Sequence, residues 1–142
     1  MMEQEITTRL FTPDEANRAL PLVQRIVKDI LSTGRALQAL EESRSMTDRD
    51  HERELRKLGK QLEGQIEELE LIGCSYKDWN FEQGLVDFPA ELDGERVLLC
   101  WKSDEERVQY YHGLFDGFSG RKEIPLRYLN QDQASAQLGE EG

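Results

Sequence analysis

The chain has 142 residues, the size of one ordinary domain, and is 37% hydrophobic and 33% charged with a formal net charge of −11. So little apolar material suits a protein with much exposed surface, such as one with projecting helices. No segment offers the basic footprint that nucleic acid requires. The acidity also opposes anionic lipid, and no apolar run approaches the roughly 18–20 residues of a membrane span, so neither partner is expected.

The placement of charge is more informative than its sum. Residues 1–60 carry equal numbers of acidic and basic side chains, whereas Gln61 to Glu95 holds ten acids and a single base, Lys77. Cys74 and Cys100 are the only cysteines, and the N-terminus carries no secretory apolar segment. The expectation is a cytoplasmic chain whose reduced thiols act as small, semi-buried hydrophobes.

Along the chain, ITTRLF alternates apolar and polar residues and suggests a short strand over residues 6–11. A well-marked helix start follows. Thr12 is the N-cap, Pro13 takes the first helical position, and Glu15 stands where a capping box places it. Apolar residues then recur at Ala16, Leu20, Val23, Val27, Ile30 and Leu37 in steps of three and four. Pro21 interrupts the hydrogen-bond ladder and predicts a kink. Gly34 falls on the same stripe, where it either admits a partner helix closely or weakens the distal end.

SRSMTDRD breaks the pattern, and Thr47 with Asp50 reads as a second cap. A second helix is expected from about Asp48 to Leu71, with Leu55, Leu58, Leu62, Ile66 and Leu69 on one face. The two form an antiparallel hairpin over about residues 13–71 with a coiled-coil-like stripe. At about 1.5 Å per residue the first helix would span roughly 45 Å, more than a small sheet covers. The expected partner is therefore a second copy of the chain or another protein, meeting the hairpin along a stripe that includes Val27 and Leu62.

From Gly73 the period changes to two. Strands are expected at Ser75–Trp79, Leu85–Phe88, Val97–Lys102 and Arg107–His112, as an antiparallel meander over about residues 73–128 with turns at Asp93–Gly94 and Ser103–Glu106. With SDEE as a four-residue connection, Lys102 opposes Arg107 and Val97 opposes His112. This register puts Val97, Leu99, Trp101, Val108, Tyr110 and His112 on the core face and leaves Leu98, Cys100, Tyr111 and their neighbours on the other. The polar tail, residues 130–142, is expected to be disordered, which makes residues 1–129 a single α+β domain.

Candidate site residues gather near the end of the chain. Asp87 is exposed if Val86 and Phe88 face the core; turned inward, it needs His112 or Arg121 as a partner. An Asp–His pair is the smallest general-base unit, and Asp87 and His112 are the weak catalytic candidates. GLFDGFSGR could form an anion-binding loop, with Arg121 as clamp and Asp116 beside it. The alternative is a corner in which Gly113, Gly117 and Gly120 allow positive φ while Phe115 and Phe118 plug the sheet. Six aromatics, Trp79, Trp101, Tyr110, Tyr111, Phe115 and Phe118, could line a small pocket or simply close a core. The candidate ligand-binding set is thus Trp101, Tyr110, His112, Asp116 and Arg121. Because the chosen register parts Cys100 from His112, and no paired-cysteine or paired-histidine motif accompanies them, no metal and no cofactor is expected.

Taken together, FTPDEANRALPLV, GLVDFPAELDGERVLLCW and YYHGLFDGFSGR resemble a prokaryotic family, domain of unknown function 2203, over nearly the whole chain apart from its tails. The resemblance implies a small cytoplasmic protein of bacterial or archaeal origin and carries no activity or catalytic residue with it. The residues themselves favour a non-enzymatic interaction module, a homodimer through its hairpin. The alternative is a small-molecule, anion-binding or hydrolytic site built from Asp87, His112, Asp116 and Arg121.

Overall fold

A computed structural model describes residues 9–43 and 48–129. Two helices, α1 (Pro13–Glu42) and α2 (Asp48–Ile72), precede five strands: β1 (Ser75–Tyr76), β2 (Leu85–Leu92), β3 (Glu95–Lys102), β4 (Tyr110–Gly113) and β5 (Lys122–Glu123). The strands form one antiparallel sheet in the order β1-β2-β3-β4-β5. This is the expected α+β architecture of a helical hairpin followed by a meander. The proposed tail, the Thr47 cap and the start of the 6–11 strand lie outside the described residues; within that strand, Phe11 makes one parallel bridge to Ala90.

The start of α1 follows its sequence signals. The Thr12 hydroxyl accepts from the Glu15 amide at 3.1 Å and the Glu15 carboxylate accepts from the Thr12 amide at 3.0 Å, a reciprocal capping box. α1 runs through Pro21 without interruption. Pro21 is exposed, on the side of the helix away from the buried stripe. At the far end His51 donates through Nε2 to the Leu40 carbonyl at 2.8 Å, tying the start of α2 to the end of α1.

One face of the sheet builds the core. Val86, Phe88 and Ala90 from β2 and Val97, Leu99 and Trp101 from β3 join Ala16, Leu20, Val23, Val27 and Ile30 of α1 in a single buried cluster. At about 1.5–3 kcal/mol per fully buried large apolar side chain, this layer is the main stabilising element. Val27 belongs to it, so it serves the fold rather than an external seam. α2 is an outer layer: Leu69 is fully buried, whereas Leu62 and Ile66 are only partly so.

The second hairpin departs from its expected register by one residue. Val97 pairs with Gly113, Leu98 with His112, Leu99 with Tyr111 and Cys100 with Tyr110. The cause is Asn17. Its side-chain amide donates to the Val108 carbonyl at 3.1 Å and accepts from the Val108 amide at 2.8 Å. Residues 107–109 thus leave the β3 ladder to satisfy α1, and the connection lengthens. A slip of one residue reverses faces, so Tyr111 packs on the core while Tyr110 and His112 lie on the opposite face with Cys100.

Gly34 approaches an aromatic ring instead of a helix. A Cβ there would stand 2.3 Å from Phe81, which sits at a φ of 58° in the β1–β2 connection. Asp78 holds this connection by accepting from the amides of Asn80, Glu82 and Gln83 at 3.0, 2.9 and 2.7 Å. Arg35 and Gln38 on α1 donate to the carbonyls of Phe81, Glu82 and Asn80. At the opposite end of the sheet, Asp93 and Gly94 form the turn with φ values of 54° and 82°. The Asp93 carboxylate receives Arg127 at 3.0 Å to both oxygens and the Tyr128 hydroxyl in a short hydrogen bond.

Three outcomes follow for stability. Gly34→Ala is expected to lose about 1–3 kcal/mol by urea denaturation, because Phe81 cannot withdraw. Gly64→Ala, with nothing within 4 Å of its new Cβ, should gain up to about 1 kcal/mol from helix propensity. At Asp93, the Tyr128 hydrogen bond and then Arg127 hold the carboxyl below its ordinary range. A depressed folded value means that the clamp contributes above the unfolded pKa and is lost as pH falls. The difference in melting temperature between wild type and Asp93→Asn should be full above about pH 5 and shrink as pH falls below the ordinary carboxylate value of about 4.

Candidate functional site

The face of the sheet turned away from the helices carries the chemistry. Alternation along β2 and β3 places Leu85, Asp87, Leu98, Cys100 and Lys102 there, and the observed β4 register adds Tyr110 and His112. Val86 and Phe88 face the core, and Asp87 points away from it as that arrangement requires. It is nevertheless only 6% exposed, because the 114–120 loop folds back over this face. Leu114, Gly117 and Phe118 from the loop, with Lys77 at one side, enclose a cavity of about 320 Å³ whose floor includes Asp87, Cys100 and His112.

His112 is fixed at both nitrogens. Nδ1 lies 2.8 Å from the Gly113 carbonyl, which can only accept, so Nδ1 carries a proton. Nε2 faces Asp87 Oδ1 at 3.3 Å, with both side chains under a tenth exposed. Burial raises the Asp87 carboxyl above its ordinary value, while the His112 and Lys77 charges and hydrogen bonds from His112 and Cys100 pull it back. Desolvation, followed by the Asp87 charge, pushes the Cys100 thiol up to about 12, so without a counter-cation it keeps its proton at neutral pH.

The remaining candidates serve the fold around this floor. Arg121 pairs with Glu105 rather than Asp87, through two bonds of 2.7 and 2.9 Å, and its guanidinium also donates to the Cys100 carbonyl at 3.2 Å. It lies 4.1 Å from the Tyr110 ring centroid and 4.6 Å from that of Phe118, and so braces the loop against the sheet. Asp116 is exposed and accepts from the Gly113 amide at 3.1 Å, closing its own turn. Trp101 belongs to the core face, with its indole donating to the Glu105 carbonyl at 2.8 Å.

The loop differs in detail from the expected corner. Only Gly117 of its three glycines has a positive φ, of 68°. At Gly113 and Gly120 a Cβ would instead collide with Asp116. Phe118 stacks on Arg121, whereas Phe115 is 97% exposed and plugs nothing. The six aromatics do not share a pocket: Trp101 and Tyr111 face the core, Tyr110 and Phe118 lie over the outer face, and Trp79 stands beside α2.

Cys100, Lys77, Leu98 and Leu114 were missed as neighbours of Asp87 and His112. For Cys100 a signal existed. A two-residue turn at Asp93–Gly94 pairs Leu92 with Glu95, and counting back along both strands places Asp87 opposite Cys100. The Glu105–Arg121 pair should show its buried character in a double-mutant cycle. Arg121→Met alone is expected to cost about 2–4 kcal/mol by leaving Glu105 unpaired. Combining it with Glu105→Gln should cost less than the sum of the single changes.

Neither a curated protein nor a solved structure gives a significant match to the chain. A family model described as "Uncharacterized conserved protein (DUF2203)" matches residues 9–124. That span takes in both helices, all five strands and the loop over the outer face, and the chain belongs to this family, domain of unknown function 2203.

Proposed function

We propose that the protein is a non-enzymatic interaction module that self-associates through the outward face of α2. The observation that carries this reading is a furrow of about 470 Å³ along that helix, lined by Gly59, Leu62, Ile66 and the 55%-exposed Trp79, with Glu63, Glu67 and Glu70 at its rim. Gly59 has nothing within 4 Å of where a Cβ would stand. In an exposed helix interior such a glycine costs about 1 kcal/mol relative to alanine, and close approach of a second helix offsets that cost.

Charge supports a second copy as the occupant. Residues 49–60 carry five bases against three acids, whereas residues 61–72 carry four acids and no base. Two parallel copies would align like with like. An antiparallel pair centred between Gly59 and Lys60 sets Arg56 of one copy against Glu63 of the other, twice over, as a twofold axis requires. Leu62 contributes to this face, unlike Val27.

A second reading, ligand binding on the outer face of the sheet, is favoured by one observation: Asp87 and His112 are buried beneath a cavity. Asp116 bonds within its own turn and Arg121 pairs with Glu105, so this reading rests on Asp87 and His112.

Sedimentation equilibrium tests the first reading. Wild type should sediment as a dimer, and Arg56→Glu or Glu63→Arg should each weaken it about tenfold or more, with the doubly reversed chain recovering association. Both positions are exposed, so folding is preserved. A monomer at high concentration, or single reversals without effect, would sink the proposal.

A further inference from the structure

The cluster on the outer face of the sheet supports a more specific chemical assignment. We propose that Asp87, Cys100 and His112 bind one divalent transition-metal ion, Zn²⁺ by the character of the donors, with a remaining position open to the cavity above them. The three come from adjacent strands: Asp87 pairs directly with Cys100 across β2 and β3, and His112 stands opposite Leu98 on β4. One ligand atom from each lies within 4.8 Å of the others.

The geometry suits coordination. A tetrahedral Zn²⁺ with bonds of about 2.0–2.3 Å separates its ligand atoms by about 3.3–3.8 Å. His112 Nε2 and Asp87 Oδ1 are already 3.3 Å apart. Cys100 shares their buried face, with its Sγ within 4.8 Å of both.

The histidine's other nitrogen is the independent observation. Nδ1–H is committed to the Gly113 carbonyl. Nε2 therefore meets the Asp87 carboxylate either through a second proton, as an imidazolium, or through a cation in that proton's place. Two lone pairs facing one another require a proton or a cation between them. A backbone carbonyl behind the distal ring nitrogen is also the usual outer-shell support of a metal-bound histidine. Coordination displaces two protons to solvent, the one held between His112 and Asp87 and that of the Cys100 thiol, and the resulting thiolate and carboxylate balance the ion's two charges around a neutral imidazole. The buried set is then electrically neutral.

Three protein ligands do not fill a tetrahedron. The fourth position faces the cavity lined by Lys77, Leu98, Leu114 and Phe118. An exchangeable position is the arrangement of reactive zinc sites, whereas structural zinc sites are closed by four protein ligands. The ion would hold water or a small anionic guest there, with Lys77 beside it.

The test uses the full chain, stripped of metal and titrated with Zn²⁺ by calorimetry and with Co²⁺ by absorption spectroscopy. About one ion per chain should bind, and Co²⁺ should give a thiolate charge-transfer band with the visible bands of four-coordinate geometry. Cys100→Ser, confirmed as folded by circular dichroism, should abolish the charge-transfer band and weaken Zn²⁺ binding more than about 100-fold, beyond the usual loss from an outer-shell change. Cys74→Ser should retain both signals, because Cys74 is buried elsewhere, near α2. Absence of Co²⁺ and Zn²⁺ binding by the folded wild type, or a charge-transfer band lost with Cys74 instead, would overturn the assignment. Should Cys100→Ser fail to fold, the wild-type spectrum together with that of Cys74→Ser still decides between these outcomes.

Discussion

A single side-chain amide on the first helix determines which residues meet on the far side of the sheet. Asn17 takes both backbone hydrogen bonds of Val108, and these are bonds that Val108 would otherwise offer to β3. A buried backbone donor and acceptor must be satisfied somewhere, and the helix supplies the partner. The ladder therefore resumes only at Tyr110, one residue out of step with a short four-residue turn. Everything distinctive about the outer face follows: His112 joins Asp87 and Cys100, Tyr110 joins Arg121, and Tyr111 goes to the core.

The sheet consequently has two dissimilar faces. The inner one is a conventional apolar layer closed by α1. The outer one is a small polar interior roofed by the 114–120 loop, with Arg121 and Glu105 as its internal brace. Because the Arg121 guanidinium also reaches the Cys100 carbonyl, the brace fixes the strand that bears the cysteine as well as the loop above it. Asp116 turns inward on its own loop in the same way, leaving the floor residues to face the cavity.

Much of the fold was legible in the sequence. The capping box, the helical periodicity and the change to alternation at Gly73 give both helices and the meander, and the Asp93–Gly94 turn gives the first hairpin with its register. The second register was not legible. Apolar segregation favoured the other choice, and the deciding hydrogen bond joins residues 91 positions apart, with no local trace at either end. Asp87 was misleading for a related reason. Alternation correctly turned it away from the helices, but pattern alone cannot show that a distant loop covers that side. The shortness of β1 and the presence of β5 likewise depend on contacts between distant parts of the chain. At Gly34 the sequence left close approach of a helix and a weakened distal end both open, and the neighbour that decides it, Phe81, was not legible.

The β1–β2 connection has a further consequence. Lys77 stands at the edge of the outer-face cavity, and Trp79, two residues later, forms one side of the furrow on α2. Between and after them, the Asp78 carboxylate and the docking of Phe81 on Gly34 hold the backbone stiffly. The two surfaces therefore share a common wall. A helix docked on Trp79 would bear on the same short backbone that positions Lys77, and a guest held by Lys77 would bear on Trp79 in return. Such coupling is reciprocal by thermodynamic necessity. This eight-residue segment, residues 77–84, is thus a mechanical connection between two regions that otherwise lie on different layers of the molecule.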